Sequence, residues 1–295
     1  MFDEEATKDN AMDAAEAEVK LTSDRKAIVQ LDPDHPGFRD PEYRARRNAI
    51  AQIAVDYKLG ERIPDAVYTE DEHKVWKIIR EKLEPVHAKY ACSEYQKYSK
   101  KLKLPDDRLP QLSKVSEQIK NFSGFQLEPT AGLVSPRAFL SVLAEDTFLT
   151  TQYIRHYSVP EYTPEPDIVH EIIGHGSMLA SPSFAELNRM IGRAVQRTKS
   201  TRGIDFISRI FWYTIEFGIL REANALKAYG AGLLSSAGEL AAIEKAEIRP
   251  INFQEMGNLD YDVTHYQPVL FCAESFPVLI RQMHDFFSNW NDDPV

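Results

Sequence analysis

The chain has 295 residues, enough to bury one large hydrophobic core, and its hydrophobic fraction of 43% is ordinary for a globular protein. Its net charge of −10, with no long basic block, argues against a nucleic-acid-binding surface. No apolar run approaches the roughly 18–20 residues of a membrane span, and the acidic N-terminus lacks the basic and apolar regions of a signal peptide. Cys92 and Cys272 are too few for a disulfide framework and fit a reducing compartment, so we expect a cytoplasmic protein without a membrane partner.

The chain divides unevenly. Residues 1–27 are rich in Asp, Glu and Ala and offer little apolar surface, so we expect an acidic, flexible tail. Residues 28–295 show no repeat and no low-complexity tract, and we expect them to form one domain.

The pattern along this domain is mostly helical. Residues 44–57 carry apolar side chains at helical spacing and precede Gly60, a residue that commonly ends helices. Thr69 and Glu72 form a capping-box signature before a helix with Trp76, Ile79 and Leu83 on one face. Strand signals are short, near residues 126–127 and 248–265. The predicted fold class is therefore mainly α with a few short β-strands.

Two histidines, His170 and His175, lie five residues apart in the segment His-Glu-Ile-Ile-Gly-His. The zinc protease motif has its histidines four apart, about 40° around a helix, whereas five residues correspond to roughly 140°. Both can reach one metal only if the helix breaks between them, and Gly174 is the residue that would permit the break. The spacing therefore predicts a metal site of a different kind.

Glu216 is a candidate third ligand. It lies in residues 206–220, a run whose only other charged residue is Arg209, so we expect a helix buried nearly all round. A carboxylate buried there is costly unless it is paired or bound to a metal. From this run alone, a salt bridge to an arginine is an equally good interpretation. The unassigned histidine pair favours the ligand, because two His and one carboxylate form the facial triad that holds non-haem Fe(II) with open positions.

Further segments carry a family resemblance over about residues 30–290. The chain resembles the aromatic amino acid hydroxylases, which are tetrahydropterin-dependent Fe(II) monooxygenases, and is most similar to the members that hydroxylate phenylalanine. The resemblance rests on separated blocks in the family's order, namely residues 31–38 with 43–47, 131–135, 151–156, 162–167, 170–175 and 227–236.

The resemblance implies a mainly helical catalytic domain and assigns roles around the metal. It implies Fe(II) held by His170, His175 and Glu216, and a tetrahydropterin as the source of electrons. Phe139 matches the ring that stacks on the pterin, while a core aromatic is the ordinary alternative for this residue. The residues expected to contact the pterin are Gly132, Leu133, Val134, Phe139 and Glu171, and Glu171 is also expected to act in catalysis.

The substrate implied by the resemblance is a free aromatic amino acid. Arg155 matches the arginine that binds its carboxylate, as a planar guanidinium does in two-point fashion, and Asp167 matches the group that orients Arg155. Ser235 is expected both to contact the substrate and to act beside the iron. The further residues expected around the substrate are Thr163, Pro166, Trp212 and Phe217. Members with a regulatory domain and a tetramerising helix are longer than this chain, so we expect a monomer or weak dimer.

Several residues depart from the family's pattern. After His175 the family usually has one residue and then proline, where this chain has Gly176 and Ser177. The other departures are Glu145, Leu149 and Phe211. The expected reaction is conversion of L-phenylalanine to tyrosine with O2 and a reduced pterin. Phenylalanine 3-hydroxylation or tryptophan hydroxylation remains an alternative, and a zinc hydrolase using His170 and Glu171, or a binding protein without turnover, is a remote one.

Overall fold

The computed structural model describes residues 26–28, 31–161, 163 and 165–292. Helices make up most of these residues and strands are short, so the predicted fold class is confirmed. Of the predicted tail, all but residues 26 and 27 lies outside the described residues. No helix in the described part of the chain is both long enough and apolar enough to span a membrane.

The predicted helix starts are found where capping groups occur. Asp40 accepts hydrogen bonds from the backbone N–H groups of Glu42 and Tyr43 at the start of the first helix. Thr69 and Glu72 form the predicted capping box. The helices are α1 (Pro41–Asp56), α2 (Glu70–Tyr90), α3 (Ser93–Leu102), α4 (Leu112–Ser123), α5 (Pro136–Ser141), α6 (Ser177–Leu179), α7 (Pro182–Arg197), α8 (Thr201–Phe211), α9 (Ala231–Leu234), α10 (Ala237–Ala241), α11 (Phe253–Asn258) and α12 (Phe276–Ser288).

Two small sheets accompany the helices. Their strands are β1 (Gln126–Pro129), β2 (Thr147–Thr150), β3 (Ile219–Glu222), β4 (Ala225–Ala228), β5 (Glu247–Pro250) and β6 (Val269–Ala273). The first pairs β1 with β2 in parallel, and Gln126 lies opposite Thr147. The second has the order β4-β3-β6-β5, with β3 antiparallel to β4 and parallel to β6, and β5 parallel to β6.

The run 206–220 is not one buried helix, so that expectation is wrong. The α-helix α8 ends at Phe211, a π-helical turn follows over Trp212–Glu216, and β3 begins at Ile219. An apolar run of this kind does not by itself distinguish a buried helix from a buried strand. The strand signal at 248–265 is likewise only partly correct, because β5 is followed by the helix α11.

One main hydrophobic core joins most of these elements. Trp76, Ile79 and Leu83 lie in it on one face of α2, as the spacing predicts. A smaller cluster lies between α1 and the segments that contain Ala131 and Tyr153. The C-terminal ends of β1 and β2 meet beside this cluster.

The helix α7 packs closely against the 3₁₀ turn Val142–Glu145. A Cβ atom on Gly192 would lie 2.2 Å from the backbone nitrogen of Ala144 and 2.7 Å from the carbonyl carbon of Leu143. Only a residue without a side chain permits this approach, because both neighbouring atoms belong to the backbone.

Gly192→Ala tests this contact. Alanine is favoured over glycine inside a helix by about 1 kcal/mol, so propensity alone predicts a gain in stability. We expect instead a loss of about 1–3 kcal/mol in the free energy of unfolding, because overpacking forces backbone apart. Denaturant titration measures it, with Ser183→Ala at an exposed position of the same helix as the control. A more stable Gly192→Ala protein would show that the two elements are free to separate.

Candidate functional site

The two histidines lie on a π-helical segment, His170–Gly176. In a π-helix the backbone hydrogen bonds run from residue i to residue i+5, so residues five apart come to the same side. His170 and His175 therefore point together without the break in the helix that the α-helical spacing requires. The expected break in the helix between the two histidines is therefore wrong, although the two side chains do meet.

Gly174 allows close packing against another helix and does not break the helix in which it lies. A Cβ atom there would lie 2.7 Å from the carbonyl oxygen of Ala231 and 2.9 Å from its Cβ atom. The missing side chain lets the first turn of α9 lie directly against the π-helical segment. This contact brings the C-terminal end of α9, and Ser235 after it, next to the histidines.

Glu216 ends the second π-helical turn, Trp212–Glu216, and reaches the same point. Its carboxylate oxygens lie 3.1 Å from His175 Nε2 and 3.4 Å from His170 Nε2. The two Nε2 atoms are 3.0 Å apart, and one ligand atom from each of the three residues lies within 4.8 Å of the others. The structure thus brings together the three predicted metal ligands.

The electrostatics of this cluster favour a cation. Burial lowers the pKa of His170 to about 4, although the charge of Glu216 opposes this shift. Burial raises the pKa of Glu216, but its electrostatic interactions with His175 and His170 outweigh this effect and hold that pKa below its ordinary value. A neutral imidazole and an ionised carboxylate are the forms that bind metal ions.

A cavity of about 250 Å³ opens from the cluster. It begins where β1 and β2 end, and its walls are mainly apolar. The predicted site residues that line it are Gly132, Leu133, Val134, Phe139, Pro166, His170, Glu171, His175, Trp212 and Glu216.

Phe139 and Glu171 present different chemistry to this cavity. The Phe139 ring is held by edge-on contacts with Phe148 and Phe211, at centroid distances of 5.1 and 5.7 Å. Glu171 accepts hydrogen bonds from the backbone N–H and the hydroxyl of Thr151, both at 3.2 Å. Burial nevertheless raises the pKa of Glu171 to about 8. A flat aromatic wall and a buried carboxyl therefore face the same space.

Arg155 and Asp167 form a buried two-point ion pair behind the cavity. Arg155 Nε and Nη2 donate to the two carboxylate oxygens of Asp167 at 2.9 and 2.8 Å, and the side chains are 4% and 0% exposed. Asp167 also accepts the backbone N–H of His170 at 3.1 Å. Neither residue lines the cavity, so the structure places them beside it rather than in it.

Three other predicted residues also lie outside the cavity wall. Thr163 donates its hydroxyl to the carbonyl of Glu165 at 2.8 Å. Phe217 is buried with its ring 4.5 Å from that of Trp212. Ser235 lies behind His170, with its hydroxyl oxygen 3.1 Å from His170 Nδ1. Each of these three side chains therefore contacts a neighbouring residue and does not itself line the cavity.

The sequence did not indicate Tyr261 or Gln267. Tyr261 lines the cavity and stacks on Trp212 with ring centroids 4.1 Å apart. Gln267 accepts the indole N–H of Trp212 at 3.0 Å and donates to the carbonyls of Asp262 and His265 at 2.8 and 3.1 Å. It thus fixes both the Trp212 ring and the loop that carries Tyr261. No motif in this polar loop distinguishes the two residues in advance.

The departures from the family pattern lie at different depths. Leu149 and Phe211 line the cavity, so they alter its surface directly. Ser177 is fully buried directly after the π-helical segment His170–Gly176. Glu145 is exposed and contacts Gln196, so it has no part in the cavity.

Curated relatives and solved structures resemble this chain over most of its length. It is 43% identical over 264 residues to phenylalanine-4-hydroxylase from Homo sapiens, covering 88% of this chain and 58% of that protein. It is 39% identical over 261 residues to phenylalanine 3-hydroxylase from Streptomyces coeruleorubidus, covering 88% and 94%. The chain thus spans a little more than half of the human relative.

A crystal structure of phenylalanine hydroxylase from Chromobacterium violaceum is similar to the fold. It matches with a TM-score of 0.74 and 24% identity, over 82% of this chain and 89% of that one. That structure is described as holding iron(III) and the oxidised cofactor 7,8-dihydrobiopterin. At this identity the similarity supports the fold alone. Residues 12–293 match the family model described as "Biopterin-dependent aromatic amino acid hydroxylase", and the chain belongs to that family.

Proposed function

We propose that this chain is an Fe(II)- and tetrahydropterin-dependent monooxygenase that hydroxylates the ring of free L-phenylalanine to give tyrosine. The observation that carries the proposal is the cluster of His170, His175 and Glu216, with ligand atoms within 4.8 Å, at one end of an apolar cavity. The chemistry of the cavity wall suits a flat cofactor and an aromatic ring.

The donor set fits iron. Two imidazoles and one carboxylate are the ligands of non-haem Fe(II) sites, and three ligands leave coordination positions for other molecules. Three electron-rich atoms about 3 Å apart would repel one another without a shared cation or proton. Ser235 supports this role, because a histidine that binds a metal through one nitrogen needs a partner at the other.

The cavity wall fits a reduced pterin. Phe139 offers an aromatic face, and Glu171 offers a buried carboxyl that can hydrogen-bond to a ring atom. The short segment of Gly132, Leu133 and Val134 also lines the cavity, and its backbone groups are the contacts proposed for the edge of the pterin. When bound, Fe(II) and the tetrahydropterin supply the electrons and the oxygen activation for inserting one oxygen atom into an aromatic ring.

The amino acid's carboxylate is the partner proposed for Arg155. Within the described residues, Asp167 takes two of the five guanidinium N–H donors, and the Pro160 carbonyl, at 3.4 Å, takes a third. The remaining two are the donors that a carboxylate would accept. Asp167 holds the guanidinium in a fixed orientation, and Thr163 hydrogen-bonds within the loop beside it.

Trp212, Pro166 and Tyr261 are the walls proposed for the substrate ring. The Trp212 indole is fixed by Gln267 and packed against Phe217 and Tyr261, so this wall resists being pushed outward. A larger ring, such as indole, would have to displace it. The indole N–H is already donated to Gln267 and is not free for a substrate hydroxyl.

A shifted ring position is the second candidate. The chain covers 94% of the Streptomyces coeruleorubidus phenylalanine 3-hydroxylase, and the cavity carries Leu149 and Phe211 where the family pattern differs. The chemistry would be the same, with the oxygen entering the neighbouring ring carbon. Tryptophan hydroxylation and a zinc hydrolase have no comparable support in the site.

The partners proposed are the amino acid, O2 and the reduced pterin. The cytoplasmic location, the absence of a nucleic-acid partner and the monomer or weak dimer remain predictions. Both cysteines are free thiols in the structure.

The metal site is tested by replacing His170, His175 or Glu216 with alanine. Each variant leaves two protein ligands, so we expect loss of stoichiometric Fe(II) and of turnover in a folded protein. Anaerobic purification with metal analysis measures iron and zinc together, and circular dichroism measures folding. His284→Ala, at an exposed histidine, is the control. Near-normal iron content in any ligand variant would remove that residue from the site, and stoichiometric zinc would favour the hydrolase.

Substrate capture is tested with Arg155→Lys, which keeps the charge and loses the two-point fork. Loss of a charged hydrogen bond worth about 1.5–3 kcal/mol should raise the KM for the amino acid roughly 10- to 100-fold. The KM for the pterin should change far less, and Arg62→Lys at the exposed pair with Asp65 should change neither. An unchanged amino-acid KM would exclude Arg155 from substrate binding.

Specificity is tested by competition among phenylalanine, tyrosine and tryptophan in one reaction mixture. Burying the tyrosine hydroxyl without a partner costs about 1–3 kcal/mol, and the fixed Trp212 resists the indole ring. We therefore expect kcat/KM to favour phenylalanine by roughly tenfold or more. Mass spectrometry follows consumption, and NMR of the product separates para from meta hydroxylation. Preferential use of tryptophan or tyrosine would contradict the substrate, while a meta product would favour the second candidate.

A further inference from the structure

Gln267 is a buried glutamine whose side-chain amide can take only one orientation. Its Nε2 donates to the carbonyls of Asp262 and His265, and its Oε1 accepts the indole N–H of Trp212 at 3.0 Å. A carbonyl can only accept and an indole N–H can only donate, so the two ends of the amide cannot be exchanged. A residue without an acceptor at this point would therefore leave the Trp212 indole without its partner.

The backbone of Gln267 is held by the helix α10. Its N–H donates to Glu239 Oε1 at 2.8 Å. Glu239 lies in the first turn of α10, and its own backbone N–H is donated to the hydroxyl of Ser236, which caps that helix. Burial raises the pKa of Glu239 to about 7, although the hydrogen bond from Gln267 opposes this shift. Gln267 is thus anchored through its backbone to α10 and through its side chain to Trp212.

The segment that forms α9 and α10 also contacts the proposed metal site. Ser235 lies between the two helices, with its hydroxyl oxygen 3.1 Å from His170 Nδ1. Gly232 in α9 lies behind the wall, because a Cβ atom there would be 2.5 Å from the ring of Phe217, which packs against Trp212. One short segment therefore contacts a proposed metal ligand, the packing behind the indole and the residue that accepts the indole N–H.

We propose that Gln267 is a positioning residue for substrate selectivity, which holds the Trp212 indole at a fixed distance from the metal ligands and so sets which aromatic ring fits and which ring carbon faces the metal. Glu239 is its anchor on α10. The inference rests on the proposed function and deepens it by naming the group that sets the position of the ring wall. A purely structural role for Gln267 would lower stability and reduce kcat/KM for every amino acid by the same factor.

Gln267→Met is the first test, because methionine is an unbranched side chain of similar length without the amide. Without its acceptor the Trp212 ring can move outward and admit a larger substrate. We expect the ratio of kcat/KM for tryptophan to that for phenylalanine to rise roughly five- to tenfold, the effect of one lost hydrogen bond. The share of phenylalanine hydroxylated in the meta position, measured by NMR, should rise with it. Gln282→Met, at a half-buried glutamine of α12, is the matched control and should change neither quantity.

The position of the indole is measured separately, in metal-free protein. The chain has three tryptophans, and the indole N–H groups of Trp76 and Trp290 are bonded to other partners and serve as internal controls. In NMR spectra of isotope-labelled protein, Gln267→Met should shift the indole N–H signal of Trp212 and accelerate its exchange with solvent. The other two indole signals should stay in place.

Two further comparisons separate positioning from packing. Glu239→Gln keeps an oxygen that accepts the Gln267 backbone N–H, so it should retain the selectivity that Glu239→Leu loses. Trp212→Phe removes the indole N–H, so adding Gln267→Met to it should change the tryptophan-to-phenylalanine ratio by less than about twofold, as expected when the interaction is already absent.

The proposal is overturned if Gln267→Met changes kcat/KM for phenylalanine, tyrosine and tryptophan by one common factor, or leaves the Trp212 indole signal unchanged. An equal effect of Gln267→Met with and without the indole N–H overturns it as well. Equal losses in Glu239→Gln and Glu239→Leu would show that Glu239 does not anchor Gln267. If the unsubstituted protein hydroxylates none of the three amino acids, the proposed function fails, and the indole signal of metal-free protein still decides whether Gln267 positions Trp212.

Discussion

A local change of helical winding is the constraint on which the candidate site depends. Hydrogen bonds from residue i to residue i+5 bring His170 and His175 to one side, where α-helical winding would separate them by roughly 140°. The second π-helical turn ends at Glu216, so both segments that carry the proposed ligands have the same unusual winding. Neither turn would persist in isolation, because most helical stability in proteins comes from packing. The winding is held by the surrounding core.

Buried charge forms the second constraint. The ion pair between Arg155 and Asp167 is almost completely removed from water, which is costly unless the geometry satisfies both groups. Here Asp167 accepts two bonds from the guanidinium, one from the Arg155 backbone and one from the His170 backbone. The Asp167 carboxylate therefore contacts both the side chain proposed to bind substrate and the start of the π-helical segment His170–Gly176. A displacement of Arg155 would therefore displace the start of this segment, and a displacement of the segment would displace Arg155.

Residue types were enough to single out the three proposed metal ligands but not to predict how their side chains meet. His170, His175 and Glu216 stand out because carboxylate and imidazole groups are costly in apolar surroundings, a property that the sequence displays directly. The π-helical winding depends on contacts with α9, which is over fifty residues further along the chain, and no local pattern encodes it. The same reasoning explains the strands. β2, β3, β4 and β6 have four or five residues each, and runs so short acquire their conformation from the neighbours they pair with.

Sequence resemblance named residues on the cavity surface together with residues behind it and did not distinguish the two positions. Phe139, Trp212 and Pro166 line the wall, while Phe217 and Ser235 contact residues that do and Thr163 contacts the loop behind it. A motif records that a residue is needed and not which of these two positions it occupies. Tyr261 and Gln267 were not indicated by the sequence, because they lie in a loop whose composition is ordinary for a surface.

The contact between Gly174 and Ala231 has an evolutionary consequence. Each residue is small because the other is near, and the two belong to segments that carry His170 and His175 on one side and lead to Ser235 on the other. A larger side chain at either position would separate the two segments and so displace the two histidines and Ser235 together. The residues at these two positions should therefore not vary independently among related sequences. An increase in side-chain volume at one position is tolerated only with compensation at the other. Comparison of many family members would show this as covariation between two sites that touch no substrate.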